Sequence, residues 1–393
     1  MGVDWRVKGA WVPEGALAPG GQRLFDGPFT WPVMVAKRSA VDANIATMAA
    51  YCARHGVDFA PHGKTTMAPS LFAAQLAAGA WGITVATGNQ ALAARRFGVP
   101  RVLLANEVLD PKVLRWAAGE VAQGWEFLFY VDSRAGVDVA ARALSGETSR
   151  LRVLVEVGFD GGRTGCRSVT DAVTVARAVH DTDGLELAGV SAFEGMLPDE
   201  AAVRALLREV VAAATEVAPW CSNTPIVSAG GSAYFDTVVD ELTGPAAEHG
   251  WRVVLRSGAV VSHDDGFYSS HTPFRRRPDD GTLTAALEVW AQVLSTPEPG
   301  LSIVGAGKRD LPFDEGMPVP LRVRTADGAL RQMDGAHIDR LNDQHAYLRG
   351  AVVAVGDLVH LGISHPCTAF DKWRVIPVVD DDYRVVDLIH TYF

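Results

Sequence analysis

Between about residue 57 and residue 258, eight short apolar runs alternate with alanine-rich segments, and this alternation limits the fold more than any other feature of the sequence. The runs are VDFAPHGK ending at Lys64, GITVATG from Gly82, RVLLANE from Arg101, EFLFYVD from Glu126, LRVLVEVG from Leu151, ELAGVSAF from Glu186, PIVSAGG from Pro225 and WRVVLRSG from Trp251. Segments between them, such as NQALAARRFG, PKVLRWAAGEVAQG, DAVTVARAVHD and DEAAVRALLREVVAAATEVA, carry apolar residues at helical spacing. Eight strands with intervening helices close into a TIM-type barrel, so the sequence predicts an α/β chain with a (β/α)8 barrel over residues 37–262. After Gly258 the rhythm changes to shorter strand-like runs broken by proline and glycine: MPVPLRVRTADGAL, LRGAVVAVGDLVHLG and WRVIPVVDDDYRVVDLIHTYF. These predict a second, β-rich domain over residues 263–393, and residues 1–36, with WPVMVA, are assigned to it because the barrel already has its strands.

Length and composition agree with two structural units. The chain has 393 residues, 48% of them apolar and 21% charged, enough for a barrel of roughly 250 residues and a further module. A net charge of −10 with no basic run argues against a nucleic-acid partner. No stretch of about twenty uncharged apolar residues is present, so no membrane-spanning helix is expected. MGVDWRVKGAW has no apolar core of signal-peptide length, which gives a cytoplasmic expectation. Cys52, Cys166, Cys221 and Cys367 are too few and too scattered for a disulfide framework, so reduced thiols are expected.

In a βα barrel the reactive groups lie at the C-terminal ends of the strands. Lys64 ends the first run. A lysine partly desolvated there shifts toward its neutral amine, which attacks an aldehyde. A lone lysine at a strand end is usually a solvated charge; only its company gives it a chemical meaning. That company includes Ser228-Ala229-Gly230-Gly231-Ser232 after the seventh run and Ser257-Gly258 after the eighth, where barrels bind phosphate through glycine amides. It also includes EVGFDGGRTGC after the fifth run, which puts Arg163 over the same mouth as a donor to the phenolate of a pyridine aldehyde. In the β-rich domain, His365-Pro366-Cys367 follows GDLVHLGIS; on an extended segment, residues two apart face the same side, so imidazole and thiolate converge on one cation. That donor pair suits zinc ahead of magnesium or calcium, with positions left open for water or substrate.

Pro61-His62-Gly63-Lys64-Thr65, the EVGxxxGRTG loop, the SAGGS turn, Leu341-Asn342-Asp343-Gln344-His345 and GDLVHLGISHPC occur in an order that closely resembles the D-serine dehydratase and D-threonine aldolase family, pyridoxal-phosphate (PLP) enzymes of the alanine-racemase-type fold. The resemblance spans about residues 30 to 380. It implies Lys64 as the lysine joined to the cofactor, Arg163 near the cofactor phenolate, Ser228, Gly230, Gly231, Ser232 and Gly258 around the phosphate, and His365 with Cys367 as metal ligands. It also implies a head-to-tail homodimer. Two places depart from the family pattern. Thr65-Thr66 stands where the family often has Thr-His, and Phe193 stands where an aromatic hydroxyl is expected.

The activity expected from these motifs is β-elimination from a 3-hydroxy D-amino acid such as D-serine or D-threonine, giving a 2-keto acid and ammonia. Two alternatives stay open. One is an aldolase on the same site, giving glycine and an aldehyde; the other is a PLP-binding protein without turnover. A racemase lacks an identifiable second base, and a phosphosugar barrel has no use for the His-Pro-Cys motif. His62 either packs beside the cofactor or supports the strand. His337 and His345 are candidates for an acid/base group or a supporting partner, His263, Asp264, Asp265 and Tyr268 form a polar loop after the eighth run, and Asp371 reads as structural.

Overall fold

The computed structural model describes residues 4, 7–13 and 17–393, so the 1–36 assignment lies outside the described residues at positions 1–3, 5, 6 and 14–16. The chain divides into two compact units, one of residues 49–64 and 72–258, the other of residues 1–48, 65–71 and 259–393. These divisions differ from the sequence boundaries at 36/37 and 262/263, chiefly because residues 65–71 and the first part of the helix after residue 37 pack with the second unit.

The first elements are strand β1 (Val33–Lys37) and helix α1 (Arg38–His55). Eight parallel strands follow: β2 (Asp58–Phe59), β3 (Ile83–Val85), β4 (Arg101–Glu107), β5 (Glu126–Val131), β6 (Leu151–Val157), β7 (Leu185–Ala192), β8 (Ile226–Ala229) and β9 (Arg252–Leu255). Strands β3 to β9 pair in chain order, and β2 lies beside β9. The ring closes through a parallel bridge between His62 and Thr84, with Trp81 N–H donating to Phe59 O at 2.7 Å and Thr84 N–H to Pro61 O at 2.9 Å. This is the TIM-type barrel that the eight runs predict. Inside it, Ala60, Leu103, Leu128, Tyr130, Leu154, Ala188, Ile226 and Val254 form one buried cluster.

Helices α2 (Pro69–Ala77), α3 (Gly88–Arg96), α4 (Pro111–Val121), α5 (Arg134–Ala143), α6 (Val169–His180), α7 (Glu200–Val217) and α8 (Phe235–His249) connect the strands. Thr87, Asp110, Ser133, Ser168 and Asp199 cap α3 to α7 by accepting backbone N–H groups, which fixes where each βα loop ends. Gly136 in α5 and Gly244-Pro245 in α8 break the sequence pattern, which hides both helices from a periodicity reading. At the N-terminal ends of the strands, Arg101 pairs with Glu126, Arg152 with Glu186 and Arg252 with Asp58. Such partly exposed pairs contribute little to stability, so the apolar interior carries it.

The second unit is built on a mixed sheet. Strands β10 (Leu287–Glu298), β11 (Leu301–Val304), β12 (Val319–Arg324), β13 (Leu330–Gln332), β14 (His337–Leu341), β15 (Ala346–Arg349), β16 (Leu358–Gly362), β17 (Val375–Val379) and β18 (Val385–His390) join β1. The path runs β13-β12-β16-β10-β1-β17-β18, with β11, β15 and β14 branching from β10. Strand β10 has 12 residues and its first half is buried almost continuously, so the alternation that marks a one-sided strand is absent from it. The LRGAVVAVGDLVHLG run is only partly strand: Gly350, at φ +71°, turns the chain out of β15, and Val352 is exposed. Described residues Ala10, Val12, Leu17, Leu24 and Phe29 pack with Val33, Val35 and the wholly buried Trp290 of this unit.

Candidate active site

The barrel unit contains a cavity of about 190 Å³ lined by His62, Lys64, Asn106, Tyr130, Glu156, Arg163, Thr164, Phe193, Gly231 and Arg256, among others. Most of these residues sit at or just past the C-terminal ends of strands, as barrel chemistry requires. Lys64 reaches this position in a way that differs from the sequence reading. Pro61 has no N–H to continue a ladder, β2 stops at Phe59, and Lys64 lies on the 3-10 turn Gly63–Thr65. Gly63 is needed there, because a Cβ would meet Phe72 Cζ at 2.5 Å.

His62 Nδ1 is buried without a hydrogen-bond partner. Burial first, then the positive charges of Lys64, Arg256 and Arg163, hold this imidazole well below its ordinary range, so it is neutral at pH 7. Three cationic side chains therefore face one small space, which suits a ligand carrying phosphate and carboxylate groups. Arg256 was not singled out in the sequence, although a charged residue ending the apolar run WRVVL signals it. It is buried and donates to Ser228 Oγ at 2.7 Å and Ala192 O at 2.6 Å.

The hydroxyl of Ser228 is thereby committed inside the barrel, donating in turn to Val254 O at 2.9 Å. Gly230 adopts φ +97°, open to glycine at little cost, and Ser232 lies in the turn that leads into α8. Buried Ser257 donates from Oγ to Gly230 O at 3.0 Å, so the turns after β8 and β9 are bonded together, with Gly258 buried beside them. The Gly230 and Gly231 amides both donate to the carboxylate of Glu194, a wholly buried residue that sequence reasoning missed. The two amides before the α8 N-terminus are therefore satisfied within the protein by a carboxylate, the kind of acceptor that backbone N–H groups at a helix start favour.

Arg163 lies with its guanidinium 4.5 Å from the centroid of the Phe193 ring, a cation–π contact that uses the phenylalanine where the family expects a hydroxyl. Its loop is held by Arg167, which donates to Gly162 O (3.0 Å), Arg163 O (2.8 Å), Thr164 O (2.9 Å) and Gly165 O (2.7 Å). Asp132 accepts the Gly165 N–H at 3.0 Å from the other side. Tyr130 OH and Glu156 Oε2 are further buried polar atoms without hydrogen-bond partners. Burial and the charge of Glu156 push the neighbouring Glu107 up to about 8, so this carboxyl keeps its proton at pH 7.

In the β-rich unit, His365 is extended, but Pro366 starts a 3-10 turn over Pro366–Thr368 that carries Cys367. Imidazole and thiol therefore meet through a turn and not through strand alternation. Among the described residues no group of three or more His, Cys, Asp or Glu side chains is arranged around a cation, so His365 and Cys367 would leave coordination positions for water or substrate. His365 Nδ1 lies 2.7 Å from Asp314 Oδ2. Burial alone lowers His365, but the hydrogen bond and charge of Cys367, followed by those of Asp314, outweigh it and raise the imidazole to about 9. Thr65, which follows Lys64 in the chain, contacts Cys367 Sγ through its hydroxyl at 3.6 Å.

The polar loop after β9 has structural work. Asp264 Oδ1 accepts the N–H groups of Gly266, Tyr268 and Ser269, and His263 is buried at φ +48°. His337, His345 and Asp371 are exposed.

Residues 37–240 match the family described as alanine racemase, N-terminal domain, just over half of the chain, and residues 286–379 match the putative serine dehydratase domain. The chain is 27% identical over 359 residues to a D-threonine aldolase of an Arthrobacter species, covering 89% of each protein. It is 31% identical over 166 residues to a D-threo-3-hydroxyaspartate dehydratase of a Delftia species, 42% of this chain and 43% of that protein. A solved D-threonine aldolase from Filomicrobium marinum superposes with a TM-score of 0.80 at 25% identity, covering 95% of this chain and 98% of that one. With both domains matched in order on a barrel and a β-rich unit, the chain belongs to the D-serine dehydratase and D-threonine aldolase family of enzymes with the alanine-racemase-type fold.

Proposed function

We propose that this enzyme is a PLP- and divalent-metal-dependent lyase that removes water from a 3-hydroxy D-amino acid, D-serine or D-threonine, to give a 2-keto acid and ammonia. The observation that carries the reading is the convergence of Lys64, His62, Arg163 and Arg256 on one cavity at the C-terminal strand ends. The residues fit the cofactor: an anion-accepting glycine turn, a cationic cavity, and buried polar atoms of His62, Tyr130 and Glu156 that lack partners within the protein. The metal is read as zinc from its thiolate and imidazole donors. The reading includes a homodimer, as the resemblance implies; no helix among the described residues is long and apolar enough to cross a membrane.

Bound PLP supplies an electron sink for the pair left at Cα, and a cation on His365 and Cys367 supplies Lewis acidity at the β-hydroxyl. Lys64 Nζ would hold the cofactor and, as a free amine, would accept the Cα proton. Arg163 would donate to the phenolate oxygen, and neutral His62 would pack against the ring. The phosphate would lie at the Gly230–Ser232 turn and the α8 N-terminus, with Gly258 alongside, the Gly230 and Gly231 amides exchanging the Glu194 carboxylate for it, while the Ser228 and Ser257 hydroxyls stay bonded within the barrel. The Cα proton accepted at Lys64 Nζ would leave with the β-hydroxide as water, and the resulting enamine, through its imine tautomer, would take up water to release ammonia and the keto acid.

Elimination needs an electrophile at the β-oxygen, whereas C–C cleavage also needs a base for the β-hydroxyl proton. Position 66, often histidine in the family, is a threonine here, which favours elimination. Similarity to the Arthrobacter D-threonine aldolase over 89% of the chain favours the aldolase reading instead. Product analysis separates them: incubation with D-threonine is expected to give 2-oxobutyrate and ammonia, and glycine with acetaldehyde would establish the aldolase.

Arg167 offers a test on the cofactor side. Arg167→Ala removes four hydrogen bonds from the loop that carries Arg163 while changing an exposed side chain. It is expected to weaken PLP binding about tenfold, equivalent to about 1.4 kcal/mol. Titration of apoprotein with PLP by absorbance checks this, and unchanged affinity would remove Arg167 from the account.

A further inference from the structure

We propose that Asp314 is the positioning residue of the metal pair: it fixes the His365 ring so that Nε2 presents its lone pair to the cation shared with Cys367. The proposal rests on the metal reading above and adds a residue that neither the motifs nor the resemblance contains. Asp314 lies in LPFDEGMP, 51 positions before His365, so local spacing does not betray it.

The geometry is specific. Asp314 Oδ2 is 2.7 Å from His365 Nδ1, and Asp314 Oδ1 accepts from Thr368 Oγ1 at 2.7 Å. Both carboxylate oxygens are therefore engaged, which makes Asp314 an orienter of the ligand and not a ligand itself. With Nδ1–H donated to the carboxylate, Nε2 is the nitrogen left for a metal. Phe267 and Tyr268 pack on the same imidazole, at ring-centroid separations of 6.2 and 5.7 Å, and further restrict its plane. The acid-bearing loop is tied to the His-Pro-Cys region by Ser364 Oγ donating to Pro312 O at 3.2 Å and Trp373 Nε1 donating to Asp310 O at 3.1 Å. Thr368 belongs to the turn that carries Cys367, so one carboxylate bonds on both sides of the thiol. An anionic partner also raises the basicity of the ligating imidazole, which strengthens metal binding.

The test is zinc affinity of the purified full-length apoprotein, measured by competition with a chromophoric chelator. Wild type is expected to bind one zinc per chain. Asp314→Ala is expected to bind zinc about 10- to 100-fold more weakly. Asp314→Asn, which keeps an acceptor but loses the charge, is expected to fall between the two, and Thr368→Val, which frees the carboxylate on one side, to lose only a few fold. In a His365→Ala background, Asp314→Ala is expected to have no further effect, because its influence passes through that ring; a general structural role would persist there. Wild-type affinity in Asp314→Ala, or an equal loss in the His365→Ala background, overturns the proposal. Should Asp314→Ala fail to fold, the ordering of Asp314→Asn and Thr368→Val decides, and equal wild-type affinity in both overturns it. If wild type itself binds no zinc, the metal reading falls first and Asp314 with it, whereas failure confined to the Asp314 variants leaves the metal reading standing.

Discussion

Lys64→Ala is expected to abolish turnover, by at least about 10⁴-fold, and to leave protein that takes up PLP without the yellow colour of the lysine-bound cofactor. The size of the effect follows from two duties on one nitrogen: covalent attachment of the cofactor and removal of the Cα proton. No neighbour substitutes for it. His62 is a weak base, its imidazole lowered by burial and, with Lys64 gone, still by Arg256 and Arg163, and the two guanidinium groups carry no acceptor for a proton. Steady-state assay with D-serine and an absorbance spectrum of the reconstituted variant check both halves. Substantial residual turnover would move the base elsewhere.

Cys367→Ala is expected to lose the bound metal and at least about 100-fold of the elimination rate while keeping the yellow cofactor. Removing the thiol takes away one of two proposed protein ligands but touches none of the groups that line the barrel cavity. Metal analysis, the absorbance spectrum and keto-acid release, each with and without chelator, form the experiment. Wild-type chelation is expected to reproduce the variant. Full activity of Cys367→Ala in the presence of chelator would discard the metal and its role in leaving-group departure.

The barrel was legible because its strands are short apolar runs and five of the helices between them start at a side-chain cap, a pattern carried by neighbouring residues. Lys64, the SAGGS turn and the Arg163 loop were legible for the same reason, since each follows one of those runs. The β-rich unit was less so, because β10 is buried on both faces in its first half and shows no alternation; within the barrel, Gly244-Pro245 interrupts α8. The site residues missed are single side chains brought in from afar. Glu194 sits 36 positions before Gly230, and Asp314 lies 51 before His365. Arg167 is two residues past the family motif, and only the folded loop shows its four carbonyl partners.

The most direct test of the central assignment is borohydride treatment of the PLP-loaded wild-type enzyme, followed by digestion and peptide mass mapping. One phosphopyridoxyl group per chain is expected, on the peptide containing Pro61-His62-Gly63-Lys64. A label on Lys8, Lys37, Lys112, Lys308 or Lys372 in its place, or no label at all, would contradict it.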